Sequence, residues 1–184
     1  MAKKMSPVVQ VVAIGIGAAL FFVLGRFAAI PTPIPNVSIA LQYAILAVFA
    51  VLFGPVSGSL IGGIGHVLID ATGYGIWASW EISSAVVGLI IGAMMIGNKV
   101  YEGELPTKTI VRFNISVVVA HALSWMLVAP LGDILIYSEP ANKVFVQGVT
   151  AFASNALTTG IIGTLVLIAY AKTRTQTGSL STEA

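Results

Sequence analysis

The sequence predicts an all-α fold, a polytopic membrane protein with a bundle of about six transmembrane helices and both termini on the cytoplasmic side of the plasma membrane. Three observations predict it. Of 184 residues, 57% are hydrophobic and 9% charged, against roughly 25% charged in a soluble domain; so few charges cannot cover the surface of a chain this small. Apolar runs of near-spanning length recur between Pro, Gly and polar breaks. Lys and Arg gather in alternate connections, the bias that orients membrane proteins.

The first run, Val8 to Ile30, is interrupted only by Arg26. It exceeds the apolar stretch of a cleaved signal and reads as a retained spanning helix. Pro31, Pro33 and Pro35 follow at alternate positions. They remove donors and fix φ, so Pro31 to Asn36 is expected as an extended, stiff loop. A second run covers Val37 to Phe53 and ends at Gly54-Pro55. The third, Val56 to Ile69, holds Gly58, Gly62, Gly63 and Gly65. It is short for a span and is expected to be tilted, broken or partly re-entrant. Asp70 to Gly75 reads as a turn before a fourth run, Ile76 to Ile96. Gly97 to Lys108 is a strongly polar loop. A fifth run, Thr109 to Ala129, is expected to stop at Pro130-Leu131-Gly132-Asp133, and a sixth covers Lys143 to Ala171. Residues 1–171 thus form one membrane domain, and 172–184 a polar cytoplasmic tail expected to lack fixed structure.

With the N-terminus inside, the inner side carries Lys3, Lys4, Lys99, Lys108, Arg112, Lys172 and Arg174. The outer side carries Arg26 and Lys143, a bias of seven against two. An even number of helices returns the C-terminus to the same side.

Several function classes are excluded. Without cysteine there is no disulfide, thiol nucleophile or Cys-bound metal. No phosphate-binding G-x-x-x-x-G-K-[ST] loop is present, so ATP hydrolysis by that device is excluded. Gly62-Gly63-Ile64-Gly65 lies inside an apolar run and reads as close helix packing. The formal charge of +2 is small and speaks of topology, with no nucleic-acid partner.

The candidate binding residues collect at the outer side. His66 and Asp70 stand four apart, on one helix face. They suit a ligand-binding pair or a proton relay, but are too few for a metal site. The plainer reading is a capping Asp70 and a satisfied buried His66. Arg26 either snorkels to the interface or binds an anionic group. Tyr74, Trp77, Trp80 and Glu81 form the densest group, with Trp125 near the outer end of the fifth helix and Tyr137 in the last outer loop. An interfacial aromatic belt would explain such rings. The inner interface holds only Tyr101 and Tyr170 and no Trp, and this asymmetry favours an outer pocket. Gln42, Gln147 and Asn155 are placed to line it or to bond between helices, while Asn114 and His121 lie deeper. On the first helix, Ala13/Gly17 and Gly15/Ala19 are small-xxx-small pairs, suited either to packing within the chain or to a docking face for another subunit.

Taken together, Val12 to Leu20, Phe53-Gly54-Pro55-Val56-Ser57-Gly58, Ile61 to His66, Gly73 to Trp77 and Ile82-Ser83-Ser84 make the chain resemble the S components of energy-coupling factor (ECF) vitamin transporters, in the riboflavin-type subfamily. The resemblance covers nearly the whole chain. It implies a vitamin-binding subunit with no cofactor of its own. Its partners would be a transmembrane coupling subunit (EcfT-like) and two ATPases (EcfA-like) that use the ATP. It also implies delivery by toppling in the membrane, with Ala13 and Gly17 against the coupling subunit and Gly15/Ala19 as the alternative face. Between vitamins, the polar outer helix ends and the Pro-rich loop incline the choice to cobalamin, with riboflavin the alternative. From other classes, a small membrane enzyme using His66, Asp70 or Glu81 and a small channel subunit are the competing readings; no recognised nucleophile and base spacing supports the former.

Overall fold

The computed structural model describes residues 6–73 and 75–174. Helix α1, Pro7–Phe27, starts with proline in its first turn, and the Ser6 hydroxyl accepts the Val9 N–H at 3.3 Å. The chain then makes a small hairpin. Strand β1, Ile30–Pro31, pairs antiparallel with β2, Ser38–Ile39, with Ile30 opposite Ile39. The proline-rich segment is therefore the turn of a hairpin, not a free extended loop. Thr32 closes it: its N–H donates to the Val37 carbonyl at 3.1 Å and its hydroxyl to the same oxygen at 2.7 Å.

That hairpin takes residues 37–41 away from the expected second helix. Helix α2 is Gln42–Phe53, 12 residues. At 1.5 Å per residue it is about 18 Å long, well short of a hydrocarbon core of about 30 Å. Gly54, at φ +89°, turns the chain directly into α3, Pro55–Thr72. Of the expected alternatives, a broken helix is ruled out: α3 is one unbroken helix of 18 residues. Its glycines are used for close approach: Gly58 and Gly88 meet backbone to backbone, Gly62 lies on the Ser84 carbonyl, and Phe21 fills the space beside Gly65.

Helix α4, Ala78–Met94, is followed by a short 3₁₀ turn at Val100–Glu102. Helix α5, Thr107–Leu123, runs through a π-helical stretch, Ser124–Val128, into α6, Ala129–Tyr137. The expected stop at Pro130 does not occur. A proline breaks a helix by its missing donor and by clashing with the carbonyl four residues back; the wider π turn just before it relieves both. Tyr137 therefore ends a helix instead of lying in a loop, and the connection shrinks to residues 138–140 before α7, Ala141–Thr173.

Six rods thus form the bundle. Among the described residues three of them, Pro7–Phe27, Thr107–Tyr137 and Ala141–Thr173, are long and apolar enough to cross a membrane alone, while α2 and α4 are shorter apolar helices. Outward faces carry exposed Val8, Ile16, Val23, Leu135, Leu157 and Leu165, a surface that lipid solvates. Helix α2 lies at the centre, and its Leu46, Ala47 and Ala50 pack in one core with Ile61, Val87, Ile91, Phe113 and Trp125.

Candidate functional site

At the end of the bundle away from Pro7 and Thr173, the helices part around a cavity of about 500 Å³. It forms because α2 is too short to fill that end, so the hairpin crosses over as a roof. Pro31 to Ser38 line the cavity from above. Two side chains of α7 tie the roof down: Gln147 Nε2 donates to the Pro35 carbonyl at 2.9 Å, and Asn155 Oδ1 accepts the Ala40 N–H at 3.3 Å.

The wall is aromatic. Trp77, Trp80 and Trp125 all line it, with Tyr43. These rings are held from behind. Trp77 Nε1 donates to Asp133 Oδ1 at 2.7 Å, Trp80 Nε1 donates to Asp133 Oδ2 at 2.9 Å, and the Ser79 hydroxyl also donates to Asp133. One buried carboxylate thus fixes two tryptophans. Tyr137 stacks on Trp77 with ring centroids 4.1 Å apart, and its hydroxyl accepts the Ala78 N–H at 2.9 Å. Trp125 is fixed by donation to His121 Nδ1 at 2.8 Å.

Adjoining the tryptophans is a polar floor. The Tyr43 hydroxyl shares a hydrogen bond with Ser84 Oγ at 2.8 Å, Ser84 Oγ meets His66 Nδ1 at 2.5 Å, and His66 Nε2 lies 3.7 Å from Asp70 Oδ1. Gln42, His66 and Asp70 line the cavity. Glu81 adjoins Asp70 from α4. Among the described residues, Gln42 Oε1, Asp70 Oδ2 and Glu81 Oε1 are buried without a hydrogen-bond partner.

Most of the residues singled out from the sequence meet here. Gln42, His66, Asp70, Trp77, Trp80, Trp125 and Gln147 line the cavity. Glu81 and Tyr137 stand behind it, Glu81 beside Asp70 and Tyr137 stacked on Trp77. Arg26 lies beside the cavity, spent on the Thr72 carbonyl at 3.4 Å. Tyr74 lies outside the described residues. Asn114 bonds to Thr164 at 3.0 Å, away from the cavity. Sequence reasoning missed Asp133, which read as a turn residue after Pro130, and Tyr43, which sits in an apolar run. No local pattern reveals either one; only the continuation of α5 into α6 brings Asp133 to the tryptophans.

The two faces of α1 are corrected. Ala13 and Gly17 point into the bundle, where a Cβ on Gly17 would meet Ile61 and Phe49. Gly15 and Ala19 are exposed, and nothing lies within 4 Å of the Gly15 position. Ala13 and Gly17 are packing residues in this arrangement.

Comparison with known proteins places these features. The family model described as "ECF-type riboflavin transporter, S component" matches residues 5–172. A UPF0397 protein of Exiguobacterium sp. is 58% identical over 176 residues, 95% of this chain and 96% of the relative. One from Streptococcus gordonii is 53% identical over 172 residues, 93% and 92% of the two chains. One from Clostridium perfringens is 50% identical over 184 residues, all of both. Among solved structures, the crystal structure of FolT bound with folic acid superposes with a TM-score of 0.62 at 16% identity, covering 86% of this chain and 96% of FolT. That likeness shows a shared fold.

Proposed function

The chain belongs to the family of ECF-type riboflavin transporter S components, substrate-binding membrane subunits and not enzymes, and from that premise we propose that its cavity binds a flat-ringed vitamin of about riboflavin's size at the outer face of the membrane. The observation that carries this reading is the aromatic wall: all three tryptophans of the chain border one cavity of about 500 Å³. Small-molecule sites span roughly 300–1,000 Å³, with apolar walls and a few placed polar groups. Two of the three indoles are pinned by Asp133, so their faces are held ready for stacking. The outward direction of the cavity rests on the Lys and Arg bias, which assigns the end with Pro7 and Thr173 to the cytoplasm.

Cobalamin is the second reading. It is several times larger than riboflavin and enters only if the hairpin roof lifts from Gln147 and Asn155, two side-chain hydrogen bonds. The roof makes that movement possible; the cavity volume of about 500 Å³ favours the smaller ligand.

Partners follow from the same premise: a membrane coupling subunit and two ATPases, with the vitamin delivered by toppling of the bundle. The exposed Gly15/Ala19 face suits the coupling subunit, since small residues let a second helix approach closely. Gly15→Trp is expected to abolish co-purification with the coupling subunit while leaving vitamin affinity within about two-fold. Normal co-purification would move the docking face elsewhere.

Calorimetric titration of the detergent-purified chain with riboflavin and with cobalamin tests the substrate. Saturable binding of riboflavin alone supports the size argument. Binding of cobalamin alone overturns the size argument and requires an open roof. Heat from neither, in folded protein, removes both vitamins.

A further inference from the structure

The cavity carries an imbalance between acceptors and donors. Its tryptophan N–H groups are already spent, on Asp133 and on His121. Its cation, Lys143, is spent on Glu139 at 2.7 Å. Among the described residues, the buried atoms left without a partner at this end are acceptors: Gln42 Oε1, Asp70 Oδ2 and, just behind, Glu81 Oε1, on residues more than nine-tenths buried. A buried acceptor without a donor costs about 1–3 kcal/mol, and an ionised carboxylate only accepts. A ligand that brings donors relieves that cost.

Charge narrows this further. Among the described residues the cavity lining includes Asp70, Asp133 and Glu139 against Lys143 alone. Asp133 is held by three neutral donors, Trp77, Ser79 and Trp80, and forms no salt bridge among the described residues. Asp70 and Glu81 adjoin in a buried site, where two carboxylates repel unless they share a proton or a positive charge joins them. An indole that donates its N–H to a carboxylate also gains electron density on its ring face. Such faces attract cations.

We infer that the ligand carries a positively charged nitrogen, an amine or a cationic nitrogen heterocycle, which is received by Asp70 and Gln42 while its ring lies against the tryptophans. This rests on the reading of the cavity as a vitamin site and narrows the class of vitamin.

The test is a charge series on the full-length protein in detergent, read by calorimetry. Thiamine and pyridoxamine are the cationic probes. Pyridoxine, riboflavin and cobalamin are neutral, and 4-pyridoxate is anionic. Pyridoxamine, pyridoxine and pyridoxate share one ring, so their order reports charge directly. Thiamine or pyridoxamine is expected to bind at least ten-fold tighter than every neutral or anionic probe. Asp70→Asn, which keeps the shape, is expected to erase at least ten-fold of that preference, and Glu81→Gln a smaller part. Tighter binding of riboflavin, cobalamin or another uncharged or anionic probe overturns the inference and leaves the vitamin site standing. A cationic preference untouched by both substitutions overturns the assignment to these carboxylates. Binding of no probe to folded protein overturns the inference and the vitamin-site reading together.

Discussion

The two ends of the bundle treat their polar groups in opposite ways. At the end near Pro7 and Thr173, polar side chains are tied to backbone. Asn98 Nδ2 donates to the Val51 and Met95 carbonyls at 3.0 and 2.7 Å, and its Oδ1 accepts the Val100 N–H at 2.9 Å. Arg112 donates to the Ile96 carbonyl at 3.0 Å. Arg174 donates to the Tyr101 carbonyl at 3.0 Å and lies over the Tyr101 ring at 4.9 Å. At the other end, among the described residues, Gln42, Asp70 and Glu81 each keep an acceptor without a donor around an open cavity. One end is closed and satisfied; the other keeps unmet acceptors in a space that a ligand fills. Between them, the glycine seam of α3 and α4 holds both ends in register.

Three substitutions sharpen this contrast. The largest effect is expected at the seam. Gly88→Leu drives a side chain into the backbone at Gly58. Overpacking costs about 1–3 kcal/mol and more where backbone must move, so both ends fail and folded protein is lost from size-exclusion chromatography. A monodisperse, ligand-binding Gly88→Leu protein would break the idea that the seam joins the ends. Next comes Asp133→Ala, which strips the acceptor from Trp77, Ser79 and Trp80. A stranded buried donor costs about 1–3 kcal/mol, and the Ser79 hydroxyl is buried while the two indoles are part-buried; a lower Tm is expected with at least a ten-fold loss of affinity. A loss of Tm alone would make Asp133 structural only. The smallest effect belongs to the closed end: Asn98→Ala is expected to remove about 1 kcal/mol of stability and leave affinity unchanged. A change in affinity there would show that the two ends are coupled.

The rods were legible in the sequence because lipid-facing segments are apolar throughout and their breaks are marked by Pro, Gly and charge. The aromatic asymmetry likewise pointed to the end where the cavity opens. Three things were not legible, each for a physical reason. Pro130 is a helix breaker by local rule, and only the π turn before it lets the helix continue. Val37 to Leu41 is as apolar as a helix, yet pairing of Ser38–Ile39 with Ile30–Pro31 claims it for the hairpin. The rotation of α1 is hidden because both of its faces are apolar: Ala13/Gly17 and Gly15/Ala19 have the same spacing, and only packing against Ile61 and Phe49 tells inside from outside.

The central claim, that the tryptophan-walled cavity is where ligand binds, is tested most directly by reading tryptophan emission and calorimetric heat in the same titration with riboflavin, cobalamin and thiamine. All three tryptophans line the cavity, so any ligand held there must change their surroundings. Binding in the cavity predicts that the compound giving saturable heat also changes the emission, with the same Kd by both signals. Saturable heat with unchanged emission would contradict it and put the ligand elsewhere on the protein.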